Sequence, residues 1–328
     1  MKTHHISLLT EDADQNINFY TGVLGLRFIK NSVNQANPRR RHVYYGDFMG
    51  TPGTVVTFFP VPFHGRKRID ARHFFQGIHF SIPTGSTIFW AKHLTDAGFP
   101  TSLDAFGVLH ALDPDKIPLE FHESDAVLFD WHINYMTDVP YDKQITGVIG
   151  TELHVTDPAA TAKFFKEMFN VDTKHNVINL EDNQQIFLVA TPADDSVPQW
   201  GAGSIDHFAL SADNQAELDA YWKRAEELGY TRELMVDRGY FRSVYFREPG
   251  GNRVEVATTN PGFILDESLF DLGTTFALPP RFAGDREALL AYYAKQGVHF
   301  DDVQPYTGTG HLSGTVEVIH GDETTSNN

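Results

Sequence analysis

One plan occurs four times along the chain, and any fold must accommodate all four copies. Each copy opens with a short, strand-like stretch carrying a histidine: THHISLL (3–9), GIHFSIP (77–83), ELHVT (152–156) and SIDHFAL (204–210). A helical segment follows each opening: NINFYTGVLGL, TIFWAKHLTDAGF, AATAKFFKEMFNV and AELDAYWKRAEELGY. Their aromatic residues fall on one face of a 3.6-residue period, and Gly or Asn marks each end. Phe19, Tyr20, Trp90, Phe164, Phe165, Tyr221 and Trp222 are therefore expected in the core. Further strands come next, HVYYGD and TVVTFFPV in the first copy, FRSVYFRE and RVEVATT in the fourth. The last two flank Pro249-Gly250-Gly251-Asn252, strong turn chemistry for a hairpin. The result is an α+β chain of four βαβββ modules forming two cupped antiparallel sheets. One such unit has a bare concave face, so two are needed to enclose a site.

Composition narrows the function. The chain has 328 residues, 26 Lys and Arg, 43 Asp and Glu, and a formal net charge of −17. That charge argues against nucleic acid, whose phosphates need clustered cations, and against an anionic membrane surface. The basic run HGRKR (64–68) reads as a solvated loop. The apolar fraction of 41% suffices for a core. The absence of Cys excludes disulfides and thiolate sites. No apolar run reaches the length of a membrane span, and the first twelve residues lack a signal-peptide core, so a cytoplasmic location is expected. Sixteen His are the first hint of metal chemistry. The length suggests two domains, with the boundary in the 130–145 linker. The expected division is 1–135 (units one and two), 146–262 (units three and four), and 263–328. The last part reads as an irregular arm over 263–282, a short helix over 285–296 and a polar, disordered tail from 321.

A metal site needs ligands converging from different strands. The first strands offer His5, His79, His154 and His207. The last strands of the units read VVTFFP, IPLEFHE, QIFLVATP and RVEVATT, and within the strand itself only Glu120 and Glu255 supply a carboxylate. Alternation puts Glu255 on the face opposite Val254 and Val256. If neighbouring units pair, the sites are His5/His79/Glu120 and His154/His207/Glu255. If the outer units pair, they are His5/His207/Glu255 and His79/His154/Glu120. The spacing does not choose. Either way two His and one carboxylate leave open metal positions and suit non-haem Fe(II) with O2, and Mn(II) accepts the same donors.

The stretch DRGYFRSVYFREPGGNRVEVATTNPGF (237–263) resembles the signature of ring-cleaving dioxygenases of the hydroquinone-dioxygenase type. These belong to the vicinal-oxygen-chelate superfamily, with glyoxalases, extradiol dioxygenases and antibiotic-resistance proteins. HHISLLTEDADQNINFYTGVLGLRFIKNSVNQ and YYGDFMGTPGTVVTFFP are similar to the same group, and the resemblance spans about residues 1–282. It implies metal ligation by His5, His207 and Glu255. It also implies substrate handling by Tyr245 and Arg238, with His4 and Ser7 in support. Tyr245 lies ten residues before Glu255 across the hairpin, so the two are expected as cross-strand neighbours. Asp206 departs from the family, which tends to have His there. The implied activity is extradiol-type insertion of O2 into a hydroquinone or catechol. The implied partners are that small aromatic and O2, and a homo-oligomer is compatible. His79, His154 and Glu120 lie outside the family site and read as structural residues or a second metal site. Three rivals share the fold: a glyoxalase-type isomerase, a thiol transferase and a non-catalytic aromatic-binding or resistance protein. The first needs a second carboxylate that VVTFFP and QIFLVATP lack, and the second tends to be two units long.

Overall fold

The computed structural model describes residues 1–193 and 195–300; the tail expected from 321 lies outside the described residues. Unit one comprises β1 (Thr3–Thr10), α1 (Ala13–Ile17), β2 (Arg27–Asn34), β3 (Asn37–Gly46) and β4 (Val55–Pro60). Unit two comprises β5 (Phe74–Pro83), α2 (Thr87–Asp96), β6 (Ser102–Leu103), β7 (Leu109–Leu112) and β8 (Pro118–Ser124). Unit three comprises β9 (Gly147–Val155), α3 (Pro158–Phe169), β10 (Thr173–Lys174), β11 (Val177–Asn179) and β12 (Gln185–Ala190). Unit four comprises β13 (Ile205–Ala212), α4 (Gln215–Leu228), β14 (Thr231–Asp237), β15 (Arg242–Arg247) and β16 (Arg253–Thr258). A final helix, α5, spans Arg286–Ala294.

The outer units pair with each other, as do the inner ones. One eight-stranded sheet runs β14-β15-β16-β13-β1-β4-β3-β2, the other β10-β11-β12-β9-β5-β8-β7-β6. Each sheet thus takes one unit from 1–135 and one from 146–262, so neither stretch builds a sheet alone. The sheets are mixed, not purely antiparallel as expected. β1 lies parallel to β4, and β13 parallel to β16. The helix of a βαβββ unit returns the chain in its starting direction, and two further reversals leave the last strand parallel to the first.

Local chemistry explains the elements. Asp12, Asp157 and Asn214 accept backbone N–H bonds at the starts of α1, α3 and α4. Asn170 and Gly229 adopt the left-handed conformation that ends α3 and α4. The helix expected over NINFYTGVLGL is instead a short α-helix passing into a π-helix at Asn18–Val23. The wider turn lets the adjacent Phe19 and Tyr20 both enter the core. The 249–252 hairpin is held by buried Glu248, which accepts from the amides of Gly250 and Asn252, the Asn252 side chain and Thr161 Oγ1.

Alternation along β1 divides core from site. Ile6 and Leu8 enter a core shared with Phe58, Phe80, Phe121, Trp90, Phe164 and Phe165. His5 and Ser7 face the other way and are also buried. The 263–282 arm lies on that second face. Phe263 and Leu272 pack with Ile29, Tyr44, Tyr240 and Phe241. The Nζ of fully buried Lys30 on β2 bonds Asp266 at 2.6 Å and Glu267 at 2.5 Å. Removing one partner of a buried ion pair leaves a charge without compensation, at a cost of about 3–5 kcal/mol. Lys30→Met is therefore expected to destabilise the protein by about that amount in urea unfolding. A change below about 1 kcal/mol would show that the arm is not anchored there.

Candidate metal centre

Three strands deliver the candidate ligand atoms. His5 comes from β1, His207 from the neighbouring β13 and Glu255 from β16 on its far side. In the antiparallel β1–β13 register Ser7 faces His207 and His5 faces Ala209, while Ala209 faces Glu255 in the next pair. His5 Nε2 lies 3.2 Å from His207 Nε2 and 3.4 Å from Glu255 Oε2, and His207 Nε2 is 2.7 Å from the same oxygen. All three side chains are buried.

The surrounding hydrogen bonds assign the ring protons. His4 Nε2–H donates to the Thr258 carbonyl at 3.1 Å, leaving its Nδ1 to accept from His5 Nδ1–H at 2.8 Å. His207 Nδ1–H donates to Asp206 at 2.6 Å. In both rings the lone pair then sits on Nε2 and points into the cluster. Asp206 also accepts from Arg253 at 2.8 Å, which fixes its orientation. Glu255 Oε1 accepts from Ser243 Oγ. Glu255 Oε2 meets no donor in hydrogen-bond geometry despite the proximity of His207, and it is fully buried. Two imidazole lone pairs and an unsatisfied carboxylate oxygen form the donor set of a divalent transition metal. The carboxylate–histidine pairing at Asp206 and His207 orients a ligand imidazole and raises its basicity.

Electrostatics agree. Burial lowers the His4 pKa to about 3 and lowers that of His5, so both rings are neutral. Burial opposes the proton on His207 as well, but Glu255 and Asp206 outweigh it and raise that pKa. Burial raises the carboxyl of Glu255, yet His5 and His207 hold it well below the usual range. An ionised carboxylate sealed from water beside two imidazoles calls for positive charge among the three groups, which a proton on His207 or a bound metal ion would supply.

Tyr245 and Arg238 border this cluster. Tyr245 is the cross-strand partner of Glu255, as the hairpin arithmetic anticipated, and its ring stands edge-on to His207 at 5.4 Å between centroids. Arg238 donates to its hydroxyl through Nη2 at 2.9 Å and Nε at 3.3 Å. Burial, and then Glu255, keeps the Tyr245 phenol well above its ordinary pKa, so it holds its proton. Ser7 is on the same face, but its hydroxyl meets Thr57 at 2.8 Å rather than a ligand. Thr57 in turn bonds His42 at 2.8 Å, and His42 bonds Tyr44 at 2.6 Å. Sequence reading missed His42, Tyr44, Ser243 and Phe241, whose ring lies 5.1 Å from His4 and 5.5 Å from His5. Alternation in β3 and β15 put His42, Tyr44 and Ser243 on this face, but their spacing matches no ligand pattern. The second grouping expected with outer pairing does not assemble as written. His154 turns to Glu152 at 2.7 Å and stacks on Phe74, away from His79 and Glu120.

The model of the Glyoxalase/Bleomycin resistance protein/Dioxygenase superfamily matches residues 2–121 and 147–256. The chain belongs to that superfamily. Within it, this member is 33% identical over 297 residues to MhqE of Bacillus subtilis (strain 168), named as a ring-cleaving dioxygenase, covering 85% of this chain and 94% of the relative. It is 27% identical over 308 residues to a chlorohydroquinone/hydroquinone 1,2-dioxygenase of Sphingobium indicum, covering 88% and 94%. A Bacillus subtilis crystal structure described as a dioxygenase superposes with a TM-score of 0.80 at 29% identity, covering 91% of this chain and 96% of that one. Among the described residues no helix is long and apolar enough to cross a membrane.

Asp206→Asn keeps the shape but removes the charge that polarises His207. It is expected to weaken Fe(II) binding by about 10–100-fold in anaerobic equilibrium dialysis. Unchanged affinity would mean that Asp206 does not act through His207.

Proposed function

We propose that this superfamily member is a metal-dependent, extradiol-type ring-cleaving dioxygenase acting on a hydroquinone- or catechol-type aromatic with O2. His5, His207 and Glu255 would hold Fe(II), and Mn(II) suits the same donors. The observation supporting this most strongly is the convergence of two Nε2 lone pairs on the orphaned Glu255 oxygen. When bound, the metal supplies Lewis acidity toward a phenolic oxygen and redox chemistry toward O2.

The remaining roles belong to the chain's own residues. The Tyr245 oxygen accepts from Arg238, so its own proton is left to be offered into the site. Its raised pKa makes it a donor to a developing oxyanion, not a base. The Arg238 guanidinium places a fixed positive charge beside that point and favours a deprotonated substrate oxygen. Neutral His4 holds the His5 ring so that Nε2 faces the metal position. Phe241 and the arm residue Phe263 add apolar walls that keep water from the ligands. A glyoxalase-type isomerase would need a further carboxylate at the site. The corresponding strand, β4, presents Thr57 opposite Ser7, which weighs against that rival.

Protein loaded anaerobically with Fe(II) is expected to consume O2 when given hydroquinone or catechol at an oxygen electrode. Glu255→Ala is expected to lose both bound iron and O2 uptake. Normal turnover by that variant would remove Glu255 from the ligand set. Tyr245→Phe is expected to retain iron but slow ring opening by about 10²–10⁴-fold, and an unchanged rate would refute its role as a proton donor.

A further inference from the structure

The second sheet repeats the arrangement of the first. Reversed, its order is β6-β7-β8-β5-β9-β12-β11-β10, so β8, β5 and β9 take the places of β16, β13 and β1. His79 on β5 takes the place of His207, but the donors on β8 are shifted. Glu120 stands directly opposite His79, while Glu255 stands opposite Ala209, so His122 holds the register position of Glu255 and Glu120 lies two residues before it. The third donor differs. β9 pairs with β5 so that His154 stands opposite Phe74, five residues along the strand from His79. His122 replaces it, two residues beyond Glu120 and hence on the same face of β8.

These side chains converge. His122 Nε2 lies 2.8 Å from Glu120 Oε2, and His79 Nε2 lies 3.5 Å from the same oxygen. The His79 and His122 rings are 5.4 Å apart and inclined by 30°. The three ligand atoms lie within 4.8 Å of one another, a grouping shared among the described residues only by the His5 centre. An ion about 2.0–2.2 Å from each donor places donors about 3–3.5 Å apart. The His79–Glu120 pair meets that spacing at 3.5 Å, and the His122–Glu120 pair, hydrogen-bonded at 2.8 Å, would reach it with a small outward shift. His79 is 3% exposed, yet its Nδ1 has no hydrogen-bond partner and its Nε2 is too far from Glu120 for a good one. A cation held between Glu120 and His122 would give Nε2 the partner it lacks, while Nδ1 stays unpaired with or without the ion. The other oxygen of Glu120 faces His110 Nδ1 at 3.7 Å, and His110 Nε2 lies 3.4 Å from Asp104, so a histidine and a carboxylate back the ligand carboxylate. Glu120 and His122 remain partly exposed, which leaves one side of the cluster open to solvent.

We propose that His79, Glu120 and His122 form a second divalent transition-metal site, with open positions facing solvent. The donors are imidazole and carboxylate, which select Zn(II), Mn(II), Fe(II) or Co(II) over Ca(II). The site stands apart from the His5 centre, in the other sheet, and does not depend on the dioxygenase reading.

Zn(II) alone is the probe. Metal-free full-length protein is dialysed against Zn(II) in excess Mg(II), and bound zinc is counted by elemental analysis. Wild type is expected to bind about two equivalents per chain, and Glu255→Ala about one. Adding His122→Ala and Glu120→Gln to Glu255→Ala is expected to abolish that remaining equivalent. Circular dichroism verifies that each variant is folded, and the wild-type count stands if one is not. A wild type that saturates at one equivalent, with none left in Glu255→Ala, overturns the proposal. So does a residual equivalent that survives loss of His122 and Glu120, which marks adventitious zinc. A single wild-type equivalent lost with His122→Ala but kept in Glu255→Ala would support this site while sinking the His5 centre.

Discussion

The antiparallel pairing of β1 with β13 is the constraint on which the active face depends. It joins the first unit to the last across about 200 residues of sequence and sets His5 beside His207. The parallel β13–β16 pair then places Glu255 within reach of both. A one-residue slip in either pairing would turn a ligand into the apolar core, because successive side chains alternate faces. The core on the opposite face, with Ile6, Leu8, Phe208, Val254 and Val256, enforces the register that brings the three candidate ligands together.

Within that frame the polar groups act together. The proton arrangement from Thr258 through His4 to His5, and the one from Asp206 to His207, both leave Nε2 bare toward the same point. Burial makes charge separation expensive there, so a carboxylate beside the two imidazoles favours a bound positive charge over solvent. The arm completes the environment. Lys30, held between Asp266 and Glu267, brings Phe263 against Tyr44 and Phe241, next to the ligand histidines.

Much of this was legible from residue order. Period-two alternation placed Glu255 away from Val254 and Val256, and the tight Pro-Gly-Gly-Asn turn fixed Tyr245 opposite Glu255. Helical periodicity found the buried aromatics. Which units share a sheet was not legible from spacing, because all four openings carry a histidine and both pairings bury similar apolar faces. The family resemblance favoured the outer set, and strand order agrees with it. Taking one histidine from each opening strand assigns His154, not His122, to the second cluster. His122 lay two places from Glu120, readable by alternation, but nothing local told that β9 would align Phe74 rather than His79 with His154. Likewise Thr57 meets Ser7, and His42 meets Thr57, only through sheet pairing, which no local pattern encodes.

An anomalous difference map, recorded at the iron edge from crystals grown anaerobically with Fe(II), tests the central claim most directly. The account requires a peak between His5 Nε2, His207 Nε2 and Glu255 Oε2, at about 2.0–2.2 Å from each. A clear iron peak elsewhere with none at this point, or these three side chains turned apart in the iron-loaded protein, would contradict it.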